Sequence, residues 1–385
     1  MTSAQPYSAL PQPAADALAL SARLDTLIRE NIDAAGGWIS FARYMELALY
    51  APGLGYYSAG SHKLGAAGDF ITAPEMSPLF GRVLARQIAP LLGAGIDDII
   101  ELGAGSGALA ATLFTELAAL DRLPRQYRIL EVSADLRERQ QARLAAAVPA
   151  QLPRLQWLDR LPERLDAIVI GNEVLDALPV QRIRVVDGRA QELGVTLDRN
   201  NRYAWDCRPA FPALAAAVPK LPEAYETEIG LAAQALIADL GQRLERGLLL
   251  FFDYGFPAQE FFHPQRDRGT LMCHYRHHAH GDPFLWPGLQ DITAHVDFSA
   301  IARAAPQLEL CGYASQAQFL VNGGITELLA EVPANDVPRY APLAAQAQKL
   351  LSPAEMGELF KVIALGKNPP APLQAFRRGD RSHTL

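Results

Sequence analysis

Asp97-Asp-Ile-Ile-Glu-Leu-Gly-Ala-Gly-Ser-Gly107 is the stretch whose reading decides the fold. Two β-branched residues, Ile99 and Ile100, lead into the acid Glu101. Glycines then alternate at Gly103, Gly105 and Gly107, and an alanine- and leucine-rich run follows from Ala108 to Leu120. The pattern is a buried strand, a tight turn and a helix start, which opens a parallel α/β sheet. Without Cβ atoms the glycines admit positive φ and let a ligand lie on the backbone. The helix start supplies free N–H groups at the same point.

Two ligand classes suit such a turn. Gly103-Ala-Gly-Ser-Gly-Ala108 satisfies the looser dinucleotide fingerprint, and it equally suits S-adenosylmethionine. Glu101 stands two residues before the first glycine, where a carboxylate faces the cationic amino group of a methionine moiety. That position opposes a pyrophosphate. Tyr127-Arg-Ile-Leu-Glu131 reads as the second strand, and in either ligand class the acid at its end takes the ribose hydroxyls.

Working outward, Leu155–Leu158 reads as a third strand and 165–170 as a fourth. The fourth runs into Gly171-Asn-Glu-Val-Leu-Asp-Ala-Leu-Pro-Val180. Ligands of an open parallel sheet bind outside the carboxyl ends of its strands, so Asn172, Glu173 and Asp176 should emerge beside the glycine turn. Residues 247–252 form a fifth buried strand ending at Asp253-Tyr254-Gly255, and 308–313 and 360–365 are the last two. Residues 228–246 read as helical.

Before the glycine turn, 16–35, 38–50 (with Ser40 as N-cap) and 77–92 have helical spacing, giving a helical cap over 16–92. Within it, the loop Gly68-Asp-Phe-Ile-Thr-Ala-Pro-Glu75 carries Thr72 and Pro74 and is positioned to close over the cofactor. Two insertions interrupt the main domain, 93–367. Residues 181–208 alternate around an Asp187-Gly188 turn as an antiparallel hairpin, available to a homodimer contact or to a substrate. Residues 256–295 form a lid containing Cys273-His-Tyr-Arg-His-His-Ala-His280. Its His277, His278 and His280 are too close together to join Cys273 as regular metal ligands on one rigid element. No metal is expected, and Arg276 is available to an anionic group. Residues 291–304 read as a helix. Residues 1–15 and 368–385 read as disordered.

The 385 residues carry a net charge of −7, which argues against nucleic acid as the main partner. No apolar run approaches the ~18 residues of a membrane span. The three cysteines are odd in number and far apart, as in a reducing compartment, and no Lys or Arg occurs in the first 22 residues. A cytoplasmic protein is expected.

Taken together, the glycine turn, Gly68–Glu75, Gly171–Val180 and Asp291-Ile-Thr-Ala-His-Val-Asp-Phe298 resemble the MidA family of class I S-adenosylmethionine-dependent methyltransferases. The resemblance runs from Trp38 to Gly366. It implies a Rossmann-like, mostly parallel seven-stranded sheet and S-adenosylmethionine as cofactor. Its eukaryotic members are mitochondrial assembly factors for respiratory complex I that methylate arginine on a core subunit of that complex. This chain departs from them in its N-terminus and is similar to a bacterial relative. The resemblance thus implies a protein substrate, a complex I subunit or something like it. By physical analogy with other arginine methyltransferases, Glu173 and Asp176 would bind the guanidinium, with Tyr254 and His295 lining the acceptor site. A small-molecule methyltransferase, an NAD-dependent oxidoreductase and a non-catalytic assembly factor are the alternatives.

Overall fold

In the computed structural model, which describes residues 10–59 and 71–385, the opening strand is β1, Asp98–Leu102, buried along its whole length. Its sheet adds β2 (Gln126–Leu130), β3 (Leu155–Leu158), β4 (Leu165–Asn172), β5 (Leu244–Phe256), β6 (Glu309–Ser315) and β7 (Phe360–Lys367). The order is β6-β7-β5-β4-β1-β2-β3. All strands run parallel except β7, which is antiparallel to both β5 and β6. The chain winds outward from β1 to β3 and then returns to β4 on the other side of β1. That reversal creates the crevice at the carboxyl ends where α/β sheets hold ligands.

Side chains on the strands alternate between two cores, as period-two geometry requires. Ile99, Ile168, Leu248 and Leu250 face one, together with Phe80, Phe114 and Phe319 from the helices. Ile100, Val169, Leu249 and Phe251 face the other, with Ile237 and Phe298. Both faces are covered, so the strands read as unbroken apolar runs.

This sheet unit comprises Thr72–Leu178, Gly230–Arg266 and His295–Leu385; a second unit comprises Met1–Ile71, Pro179–Ile229 and Asp267–Ala294. The segment expected as one helical cap is therefore divided. Helix Pro78–Gly93 buries Leu79, Phe80, Val83, Leu84 and Ile88 in the core of the sheet unit. Helices Ala15–Ala34 and Phe41–Tyr50 pack Leu24, Ile28 and Tyr44 with Val195, Cys273 and Ile292 in the second unit. Ser40 caps Phe41–Tyr50, accepting from the Arg43 N–H at 3.2 Å. Ile39–Ser40, expected to be helical, instead pairs with Gly194 and Val195.

The second unit also holds two antiparallel sheets. In the larger, Gln181–Val186 pairs with Arg189–Leu197, as the hairpin reading required, and Tyr203–Pro209 adds to the latter. Glu226–Ile229 pairs with the other edge of Gln181–Val186, so the helix expected over 228–246 is confined to Leu231–Arg243. The smaller sheet joins Met272–Tyr275, His278–His280 and Asp291–Thr293.

Two further expectations are corrected in the sheet unit. Helix Phe298–Ala304 starts later than expected, because Asp297 caps it through the Ala300 N–H and Val296–Asp297 pairs with the end of β5. The tail from 368 is ordered: Leu373, Ala375 and Phe376 are buried, and the Ala375 N–H donates to Gln87 at 2.8 Å. The three prolines at 369, 370 and 372, and the arginines that follow, hid this short apolar segment. Residues 1–9 and 60–70, including Gly68-Asp-Phe70, lie outside the described residues.

Candidate functional site

At the end of β1 the chain turns through Gly103, Gly105 and Gly107 at φ of 59°, 55° and 83°, values an L side chain rarely adopts. Gly107 is the residue before helix Ala108–Ala119, and a Cβ there would stand 3.5 Å from the Gln140 backbone. The Gly103 N–H donates to the Leu130 carbonyl at 3.0 Å, tying the turn to the end of β2.

Glu101 and Glu131 flank this turn, and both are buried. Burial pushes the Glu101 carboxyl up to about 7, against a 2.7 Å hydrogen bond from the Tyr127 hydroxyl, and the charge of Glu131 adds to the push. Burial also raises Glu131, while N–H groups of Ser133 and Val132 and the amide of Gln140 hold it down. A cationic amino group beside Glu101 and a diol beside Glu131 would relieve these burial costs.

The second half of the site is built on β4 and β5. Glu173 has φ of 55°, strained for a non-glycine residue, and its N–H donates to the Phe252 carbonyl at 2.8 Å. Its carboxylate accepts from the Tyr254 hydroxyl at 3.0 Å, from Asn172 Nδ2 at 3.1 Å and from the Ala73 N–H. Burial and then the neighbouring Asp253 push Glu173 up to about 8. Asp253 is fully buried; its Oδ2 accepts from the N–H groups of Val174, Leu175 and Asp176 at 3.1, 2.8 and 3.4 Å. The Asp253 carboxyl also has a side-chain hydrogen bond with Asp176. Burial pushes Asp253 up to about 7, and its hydrogen bonds, the one with Asp176 included, hold it down.

Of the expected acceptor residues, Tyr254 and His295 come together: their rings lie 6.2 Å apart, and His295 also faces Phe256 at 5.3 Å. Burial, Arg266 and Lys361 push His295 down to about 4, which leaves it neutral at neutral pH. Thr72 precedes the short helix Ala73–Met76, and Pro74 sits in its first turn. Glu75, on the same turn, hydrogen-bonds Ser106 of the glycine turn and pairs with Arg143. The end of the expected cofactor loop is thus joined to both halves of the site. Arg276 occupies the exposed turn between Met272–Tyr275 and His278–His280, in the second unit. Arg276 and His277 take φ of 45° and 63° there, as a two-residue hairpin turn demands. Among the described residues no cluster of three His, Cys, Asp or Glu is arranged to hold a metal.

The sequence reading did not find Asp253, Tyr127, Gln140 or Val132 as site residues. Asp253 carried a signal, because an acid at the carboxyl end of a central strand must find donors when buried. Gln140 carried none, since a glutamine in a polar helix reads as solvated surface.

The residues fit S-adenosylmethionine on three observations. The positive-φ glycine turn leaves the backbone bare, the buried Asn172 Oδ1 has no hydrogen-bond partner among the described residues, and Val132 beside Glu131 is 74% exposed. An apolar side chain in that position offers a face to a flat base.

Residues 83–314 match a family described as "putative S-adenosyl-L-methionine-dependent methyltransferase". The chain is similar to the mitochondrial protein arginine methyltransferase NDUFAF7 of Danio rerio, 30% identical over 365 residues, covering 86% of this chain and 84% of the relative. The Homo sapiens protein of the same name is 28% identical over 363 residues, covering 86% and 80%. A protein from Burkholderia thailandensis, crystallised with bound S-adenosyl-homocysteine, is 51% identical and superposes with a TM-score of 0.95, over 98% of this chain and 100% of that one.

Proposed function

The chain belongs to the MidA family of S-adenosyl-L-methionine-dependent methyltransferases, and we propose that it methylates a guanidinium nitrogen of arginine in a protein substrate. Its cofactor is S-adenosyl-L-methionine, whose sulfonium supplies an activated methyl group. What remains for the chain is to align a poor nucleophile and to hold its charge.

The observation that carries this reading is the fixed carboxylate of Glu173. Three donors orient it, and its backbone is held in a strained conformation that points it from the end of β4. A planar guanidinium offers paired donors that match a carboxylate bidentately. With its carboxyl raised to about 8, Glu173 ionises at neutral pH only when a cation arrives, so a positively charged acceptor is favoured over a neutral one. Asp176 differs from the expected role as the second half of an open pair. It is buried and bonded to Asp253, so its part is to hold the turn that carries Glu173. The Tyr254 hydroxyl fixes one oxygen of Glu173 and the Asn172 amide the other.

The similarity to mitochondrial proteins named as protein arginine methyltransferases supports the same reading. A respiratory complex I subunit is the substrate that the family resemblance puts first, and three free cysteines suit a cytoplasmic setting. The test is incubation with methyl-labelled cofactor and bacterial complex I subunits, followed by acid hydrolysis and amino-acid chromatography. Label in methylarginine is expected. Label confined to methyl-lysine, to an ester or to a small molecule would reject the proposal.

A further inference from the structure

Gln140 lies on helix Ala134–Ala147 and is wholly buried. Its Nε2 donates to the Gly105 carbonyl at 2.9 Å and to Glu131 Oε2 at 3.1 Å. Its Oε1 accepts from the indole N–H of Trp157 at 2.8 Å. Both amide hydrogens are therefore used. Because an indole N–H can only donate, Trp157 also fixes which end of the amide is oxygen. A Cβ at Gly107 would stand 3.5 Å from the Cα of the same residue, so the turn passes close by it. One side chain thus joins the glycine turn, the acid at the end of β2 and, through Trp157, β3.

We propose that Gln140 is a positioning residue that locks the Glu131 carboxylate to the Gly105 peptide and thereby sets selectivity for a cofactor carrying both ribose hydroxyls. The proposal rests on the reading of Glu131 as the ribose ligand. A carboxylate that accepts from two neighbouring hydroxyls must be held within a narrow range of orientation, yet its terminal torsion is intrinsically soft. The Ser133 N–H restrains Glu131 Oε1 at 2.9 Å, and Gln140 restrains Oε2. Without Gln140, Glu131 would turn about that torsion and the second hydroxyl would lose its acceptor. The same hydrogen bond opposes the upward push of burial on Glu131 and so favours its charged, acceptor-only form. Neither function is required of a residue that merely fills the core.

The experiment is calorimetric titration of the full-length protein with S-adenosyl-homocysteine and with its 2′-deoxy analogue. Wild type should prefer the diol by about tenfold, the equivalent of one net hydrogen bond. Gln140→Met keeps the volume and removes the amide. It should weaken S-adenosyl-homocysteine by about tenfold while binding of the deoxy analogue changes by less than about twofold, so the preference collapses. In the same variant the lower pH limit of binding should move upward, since Glu131 loses a donor that favours its charged form. Trp157→Phe, which frees the amide to rotate without emptying the core of a ring, should give a partial loss of preference. It also serves if Gln140→Met fails to fold. Equal weakening of both ligands, with the ratio intact, would make Gln140 a buttress and overturn the proposal. Absence of diol preference in wild type, or its survival in Glu131→Gln, would instead overturn the ribose reading of Glu131.

Discussion

Glu101 shows how a single buried acid reports on its ligand. Its carboxyl stands at about 7 because burial removes its solvation and Glu131 repels its charge. A cationic amino group beside it favours the ionised form, so binding must expel the proton wherever Glu101 still holds one. Binding of S-adenosyl-homocysteine should therefore tighten as pH rises toward 7, by up to about tenfold per pH unit, and level off above it. Glu101→Gln should flatten that slope, as isothermal titration at a series of pH values will show. A slope unchanged in the variant would remove Glu101 from the site. At this scale the sequence singled out the glycines, Glu101, Glu131 and Glu173 by type and spacing, and they stand at or beside the carboxyl ends of β1, β2 and β4. It did not disclose those that act by orienting others. Tyr127 and Gln140 look like an ordinary strand tyrosine and helix glutamine until their partners, 26 and 9 residues away, are known.

The element that places Glu173 is the turn after β4, and Asp253 at the carboxyl end of β5 holds it through three successive N–H groups. Asp253→Asn substitutes an amide for one end of that acceptor and disturbs its hydrogen bond with the Asp176 side chain. Unfolding in denaturant should show a loss of about 2–3 kcal/mol, the value of hydrogen bonds to a charged group. Methyl transfer should fall in parallel, since Glu173 would lose its fixed approach. A variant as stable as wild type would mean that the turn holds itself. Elements of the central sheet were legible because strands buried on both faces leave unbroken apolar runs ending in polar residues. Glu226–Ile229 was not: its alternation abuts helix Leu231–Arg243 with only Gly230 between them, and the helical period of the longer segment dominates. Asp291–Thr293 was obscured in the same way by the helix that follows.

Over the whole chain, the buried acids of the sheet unit set its response to pH. Glu101 and Glu173 stand at about 7 and about 8 against an ordinary 4.5, so between those values the folded protein holds protons that the unfolded chain has released. Stability of the ligand-free protein should fall as pH rises through that window, lowering the thermal midpoint by ~3–6 °C between about pH 5.5 and 8. Calorimetric scans that rise over this range would contradict the burial of these carboxyls. The tail belongs to the same unit: Phe376 packs on Phe319 at 5.4 Å, and Phe376→Ala should cost about 3 kcal/mol in equilibrium unfolding. A loss under ~1 kcal/mol would mean that the tail only rests on the core. The division of the first 92 residues between two units was hidden in the sequence, because a helix's period shows that it has an apolar face but not which core receives it. The role most in need of test is that of Glu173 as the group that receives a protein arginine. Its direct test is methyl transfer by Glu173→Gln under saturating cofactor, with S-adenosyl-homocysteine affinity measured on the same preparation. The predicted result is methylarginine formation about 10²-fold slower or more, with cofactor affinity within about twofold of wild type. Methylarginine formed at the wild-type rate by the variant would contradict it.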